Sequence, residues 1–180
     1  KFPASWKTDM LGGALTSAEY KGQYYGVPWG PSTKLFFYNK AMLAKVGATA
    51  ADVTTWDGVL AVAKKLKDAG VVKYPLSWSW SQAEALICDY AVMLGSFGGQ
   101  FTDSSGKLDV NDKAGVEALT WMKKTIDDGL TDPASLTFLE DDTDKAMAAG
   151  KTAMEINWES TFRDLNDPKS EIARRIRART

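Results

Sequence analysis

The sequence has no histidine in its 180 residues. That removes the commonest general base, the commonest metal ligand and every Ser-His or Cys-His arrangement. It has one cysteine, Cys88, which excludes an intramolecular disulfide and a cysteine metal cluster. No apolar run approaches the roughly 20 residues of a membrane span. The net charge is −1, so the chain as a whole carries no electrostatic footprint for nucleic acid or an acidic membrane surface. No internal repeat at a solenoid period is present. No N-terminal signal pattern is present either. The chain opens at Lys1 without a Met and reads as a processed or excised product, so a missing leader says nothing about export.

What is abundant is aromatic: seven Trp, six Tyr and seven Phe. Trp and Tyr suit places where one face must be apolar and one edge must hydrogen-bond. Hydrophobic residues make up 44% and charged ones 25%, enough for one domain with a full core. The stretch Tyr24 to Lys40, YYGVPWGPSTKLFFYNK, runs from a turn through Pro28-Trp29-Gly30-Pro31 into an apolar run. Two prolines in four residues neither extend a helix nor sit inside a sheet ladder. Leu35 to Tyr38 reads as a buried strand. The segment before it, Lys1 to Tyr20, has poor periodicity and reads as one or two short helices ending near Ala18, then a turn at Lys21-Gly22. It is too small to bury its own apolar residues.

After the strand, Asn39 caps a helix over Lys40 to Val46. Thr55 caps a second helix, with Asp57 in its first turn and Val59, Val62, Ala63 and Leu66 at helical spacing. Val71 to Ser77 reads as a strand interrupted by Pro75, followed by Trp78-Ser79-Trp80-Ser81. If that piece is extended, both Trp lie on one side. Ser81 reads as the cap of a deeply buried helix, Gln82 to Leu94, in which Cys88 is an inert small hydrophobe. Phe101 to Val110 reads as loop. Asn111 or Asp112 caps a helix over Lys113 to Asp128 with Val116, Leu119, Met122 and Ile126 on one face. Trp56, Tyr90 and Trp121 are assigned to the core. Glu140 to Asp144 read as the acidic head of a helix, without the glycine and terminal Glu of a calcium loop. Thr152 to Asn157 alternates as a strand, and Thr161 to Leu165 is a short helix. Four Arg between Arg174 and Thr180 read as a solvated end. Helices and strands alternate, so the class is α/β with a largely parallel sheet flanked by helices.

Several pieces, taken in order, carry a resemblance: Tyr24-Tyr25-Gly26-Val27-Pro28, Leu35-Phe36-Phe37-Tyr38-Asn39-Lys40, Thr55-Trp56-Asp57, Phe97-Gly98-Gly99, Ala118-Leu119 and Ala149-Gly150-Lys151-Thr152-Ala153-Met154. In this order the chain resembles the extracellular carbohydrate-binding solute-binding proteins of ABC transporters, from about Tyr20 to Leu165. The resemblance implies a periplasmic-binding-protein type II fold, in which two α/β lobes hold a sugar between them. It assigns residues 1–32 to a remnant of the first lobe and its crossing segment. It assigns residues 33–180 to the second lobe, incomplete at its C-terminal end. It implies a sugar ligand, ABC permease subunits as partners, no cofactor, and a periplasmic or lipid-anchored extracellular place in a bacterium.

Sugars are held by stacking an aromatic on the C–H face and aiming polar groups at the hydroxyl rim. Ligands of open α/β sheets meet the carboxyl ends of the strands. The candidates are therefore Trp158 and Glu159 after the last strand; Trp78, Trp80, Gln82 and Glu84 after the middle one; and Trp29 and Ser32 in the crossing segment. Trp29, between two prolines, has no evident core to enter. Two alternatives stand beside the sugar carrier. One is a glycoside hydrolase using Glu84 and Glu159 as its carboxylate pair, which needs no histidine. The other is a carrier of a non-sugar polyol.

Overall fold

The computed structural model describes residues 5–167 and Lys169. The Arg-rich tail lies outside the described residues. The chain divides into two compact units, Lys1–Thr33 and Lys34–Thr180.

In the first unit, α1 (Trp6–Asp9) and α2 (Gly12–Ser17) precede a two-stranded hairpin, β1 (Glu19–Tyr20) and β2 (Gln23–Tyr24). The hairpin turn is Lys21-Gly22, with φ of 50° and 76°. Positive φ at both central residues matches the right-handed twist of the strands, and a glycine at the second removes half the strain. The Lys7 ammonium lies 4.3 Å from the centre of the Tyr24 ring. Among the described side chains of this unit none is buried, which agrees with a segment too small to form its own core.

The second unit is built on a three-stranded sheet of order β3-β5-β4: β3 (Lys34–Tyr38), β4 (Leu76–Ser77) and β5 (Met154–Trp158). The α/β class is as expected, but the sheet is mixed. β3 runs antiparallel to β5 over five residue pairs, and β4 runs parallel to β5 over two. β5 lies between the other two strands, and Met154 to Asn157 are all buried. β3 is an edge strand, half-buried, with Leu35 44% and Tyr38 38% exposed. β4 is much shorter than the expected strand, because Pro75 uses its carbonyl, not a ladder N–H, to accept from Ala153 and Met154.

Helices cover the sheet: α3 (Lys40–Ala44), α4 (Trp56–Asp68), α5 (Glu84–Ser96), α6 (Lys113–Asp127), α7 (Glu140–Ala148) and α8 (Ser160–Asn166). Asn39 Oδ1 accepts from the Met42 N–H and Thr55 Oγ1 from the Gly58 N–H, as the sequence puts them, and Asp112 Oδ1 accepts from the Gly115 N–H, which makes Asp112, not Asn111, the third cap. Asp112→Ala is expected to cost about 1 kcal/mol. That is a fall of roughly 2–4 °C in the thermal midpoint of a chain this long, measured by circular dichroism.

Two helices differ from the expectation. α5 begins at Glu84, not Gln82, and Ser81 does not cap it. The reason is local. Trp80 N–H donates to the Ser135 carbonyl and Ser81 N–H to the Phe138 carbonyl, so Trp78 to Ser81 is held extended and the helix starts later. α6 is rotated from its expected face. It buries Ala114, Gly115, Ala118, Trp121, Met122 and Thr125, and leaves Val116 and Leu119 more than half exposed. Size decides it: a Cβ on Gly115 would lie 2.0 Å from the Val110 carbonyl oxygen. The small-residue stripe lets the helix approach closely enough to drive Trp121 into the core. There Trp121 meets Trp56 at 5.0 Å and Trp78 at 6.0 Å between ring centres. As assigned from sequence, Trp121 and Tyr90 are buried, and Trp56 packs against the core half-buried.

Candidate ligand-binding site

Trp158 closes β5, and Lys34 opens β3 directly across from it in the antiparallel register. Directly opposed side chains on such a pair are neighbours. The Lys34 ammonium accordingly sits 4.6 Å from the centre of the indole. Its side chain is only 3% exposed and is held by two acids, Asp89 Oδ1 at 3.0 Å and Glu140 Oε1 at 3.6 Å. Glu140 Oε1 also accepts from the Trp158 indole N–H at 3.2 Å. The half-buried Trp158 is therefore gripped on a ring face and at its polar edge by residues from two other elements, β3 and α7.

The exit of β5 is fixed by a second polar layer. Asn157 Nδ2 donates to Asp144 Oδ1 at 2.7 Å and to the Glu140 carbonyl at 3.0 Å. Thr161 Oγ1 donates to the same Asp144 oxygen at 2.8 Å, and the Trp158 N–H donates to Asn157 Oδ1. α7 and α8 are thus tied to the strand end that carries Trp158. Glu155, the central acid of β5, is fully buried beside Asp144.

Burial dominates the electrostatics. It pushes Asp89 up to about 6 although Lys34 and the Ser79 N–H favour its ionised form. It raises Asp144, and it raises Glu155 well above the usual carboxylate range, with the Asp144 charge adding to the effect. Burial and the Asp144 charge beside it both favour the protonated form of Glu155.

The other candidates are spread out. Trp78 and Trp80 share one side, as alternation requires, and stack at 5.4 Å with their planes 10° apart. Both are buried, at 1% and 5% exposure, so neither ring lies on a surface of this chain. The Trp78 indole N–H donates to Thr131 Oγ1 inside the core. The serine between them links this segment to the Lys34 cluster: the Ser79 N–H donates to Asp89 Oδ2, and Ser79 Oγ shares a hydrogen bond with Thr143. Gln82 and Glu84 are exposed at the start of α5, and Glu159 is exposed at the start of α8. Glu84 Oε1 accepts from the Cys88 thiol, and burial, with the Glu84 charge beside it, pushes that thiol up to about 11. Cys88 is half-buried and hydrogen-bonded rather than simply packed. Trp29 and Ser32 are exposed in the first unit, Trp29 completely. Trp29 there lines an open concavity of about 610 Å³ with Tyr20, Tyr25 and Val27.

Lys34, Asp89 and Glu140 are absent from the candidates drawn from sequence. The available signal was a lone acid inside the otherwise apolar helix ALICDYAVML, since a buried charge requires a partner. Among the described residues no group of three or more His, Cys, Asp or Glu is placed to hold a metal ion. Among them, too, no helix is long and apolar enough to cross a membrane.

The sequence profile of the family described as "Bacterial extracellular solute-binding protein" matches residues 2–173. Among curated proteins, a "Probable ABC transporter-binding protein" of Deinococcus radiodurans is 28% identical over 181 residues, 97% of this chain and 40% of its own length. The chain spans 34% and 40% of the length of two of the curated relatives it matches. Among solved structures, maltose-bound MalE3 of T. maritima is 30% identical with a TM-score of 0.82, over 92% of this chain and 42% of that one. A sugar transporter of Arthrobacter chlorophenolicus with bound laminaribiose is 25% identical with a TM-score of 0.71, over 83% and 37%.

Proposed function

We propose that this chain, which belongs to the family of bacterial extracellular solute-binding proteins, forms one lobe and the crossing segment of the sugar-binding component of an ABC importer. The observation that carries the reading is the likeness to maltose-bound MalE3, at 30% identity and a TM-score of 0.82 over 92% of this chain. The protein so read binds and delivers its ligand, to an ABC permease, without chemistry of its own. Its place is the periplasm or, lipid-anchored, the outer surface of the cell. Trp158, braced at the end of β5, is the stacking residue of this lobe. Trp29 and Ser32 serve from the crossing segment, and Gln82, Glu84 and Glu159 offer polar groups to hydroxyls. Trp78 and Trp80 act from behind, as a stacked pair supporting the Ser79 to Ser81 segment.

In proteins of this kind affinity comes from closing two lobes over the ligand. The 180 residues correspond to 42% of the MalE3 chain, so a sugar held by them alone stays largely wet. Calorimetric titration of the 180-residue chain with maltose and laminaribiose is expected to show no binding at micromolar concentrations. A thermal-shift screen of the full-length gene product that carries these residues, against mono- and oligosaccharides and polyols, is expected to find a stabilising sugar. A full-length protein that no sugar stabilises, or one stabilised only by polyols, would refute the sugar assignment. The hydrolase alternative has less support. Glu84 and Glu159 are both exposed, whereas a general acid is kept protonated by a closed, apolar setting.

A further inference from the structure

We infer that Lys34 and Glu140 are positioning residues for Trp158, which they lock in one orientation as a one-sided stacking platform before any ligand arrives. The inference deepens the sugar-carrier reading and rests on it for the identity of what stacks.

Three observations carry it. The Lys34 ammonium, 4.6 Å from the ring centre, occupies one face of the indole, so a planar or sugar-like ligand has only the opposite face and the outer edge to use. The indole N–H, the one polar atom of that side chain, is already satisfied by Glu140 Oε1 and is not available to a hydroxyl. The same Glu140 oxygen is 3.6 Å from the Lys34 ammonium, and Asp89 anchors that ammonium from α5 at 3.0 Å. The ring is thereby fixed about both side-chain torsions by Lys34 of β3 and Glu140 of α7, and Lys34 is itself held by Asp89 of α5. A free indole on a strand end populates several rotamers, and ordering one on binding weakens affinity. Here the groups that order the ring belong to the fold itself. The specificity consequence is geometric: Trp158 selects ligands by their apolar face, not by a hydrogen bond to its nitrogen.

The test replaces Glu140, whose side chain is partly exposed, by Ala and by Gln. Gln keeps an acceptor for the indole N–H; Ala does not. The chain is labelled with 5-fluorotryptophan, and the Trp158 fluorine resonance is assigned by its loss in Trp158→Phe. The parent and Glu140→Gln are expected to give one sharp Trp158 line, and Glu140→Ala a shifted line, exchange-broadened or doubled. A second variant, Lys34→Met with Asp89→Asn, removes the cation without stranding a buried carboxylate, and it is expected to shift the same line. An unchanged Trp158 line in both Glu140→Ala and the double variant would overturn the inference. In the full-length protein, whichever sugar of the panel binds the parent is expected to bind Glu140→Ala about tenfold more weakly and Glu140→Gln within about twofold. Equal losses in Ala and Gln would assign Glu140 a direct ligand contact instead, and would overturn its positioning role. If no sugar binds the parent, the sugar reading fails, while the fluorine spectra still decide whether the ring is locked.

Discussion

Replacing Lys34 by Met is expected to destabilise the fold by about 3–5 kcal/mol at neutral pH, the usual cost of removing one partner of a buried ion pair. The methionine stem fills nearly the same volume, so the loss is electrostatic. Asp89 is fully buried, and what compensates its charge is the Lys34 ammonium at 3.0 Å and the Ser79 N–H. Without the cation, Asp89 either ionises in a dry site or takes up a proton at a cost that grows as pH rises. The defect therefore has a pH signature. It is largest at pH 7.5 and shrinks towards pH 5, where Asp89, already pushed up to about 6, is mostly neutral in the parent as well. Adding Asp89→Asn to Lys34→Met is expected to recover a large part of the loss, because the amide needs no cation. Urea unfolding followed by circular dichroism at both pH values measures this. A Lys34→Met chain as stable as the parent at pH 7.5, or no recovery in the double variant, would show that a stranded Asp89 charge is not what destabilises the fold. Against a typical total stability of about 5–15 kcal/mol, the single substitution brings the chain near the limit of folding at 37 °C.

The local part of this structure was legible in the sequence, and the long-range part was not. The caps at Asn39 and Thr55 were read correctly, and that of α6 narrowed to Asn111 or Asp112, because a cap is decided within four residues: a short polar side chain and the N–H groups just after it. The hairpin turn at Lys21-Gly22 follows from two residues in the same way. The direction of β3 was missed because its partner lies more than 100 residues later, and an apolar run such as Leu35 to Tyr38 carries no mark of the strand it will join. The face of α6 was missed for a different reason. Counting apolar residues chose Val116 and Leu119, but close approach is set by absent side chains, at Gly115 and Ala118, and by the volume of Trp121.

The candidate site divides along the same line. Aromatic residues after strand ends were named from sequence, yet their exposure is a tertiary property. Trp158 stays half-buried because an acid and a cation hold it at the edge of the sheet. Trp78 and Trp80 are enclosed because the turn over residues 133–136 and α6 cover them. The brace was marked by the lone acid Asp89, and the polar layer beside it by the lone acid Glu155, each in an apolar context and with partners that no spacing rule connects.

Those acids lead to the second large effect: the fold is expected to be more stable at pH 5 than at pH 7.5. For an acid whose pKa is higher in the folded than in the unfolded chain, the native state holds more protons over the interval between the two values. Unfolding there releases protons, so stability falls as pH rises through that window and is flat above it. Asp89, raised from an ordinary 3.8 to about 6, contributes this sign between about pH 4 and 6. Facing it are Lys34 from β3 and Glu140 from α7, the first lowering its pKa and the second raising it, with burial larger than either. Asp144 and Glu155 are raised by burial and carry the same sign; Glu155 faces Asp144, Asp89 and Lys34. Asp89 alone is expected to give on the order of 1–2 kcal/mol between pH 5 and 7.5. Asp52 and Asp103, held low by the Thr49 N–H and hydroxyl and by the groups around Ser105, act in the opposite direction. Their contribution is present above the ordinary carboxylate range and fades only as pH falls below about 4, outside the interval compared. Urea midpoints at pH 5 and 7.5 decide the matter. The parent is expected to unfold at higher urea at pH 5, and a chain carrying both Asp89→Asn and Glu155→Gln is expected to lose most of that difference. A parent that gains stability steadily from pH 5 to 7.5 would mean that these carboxylates are ionised and well solvated in the folded state.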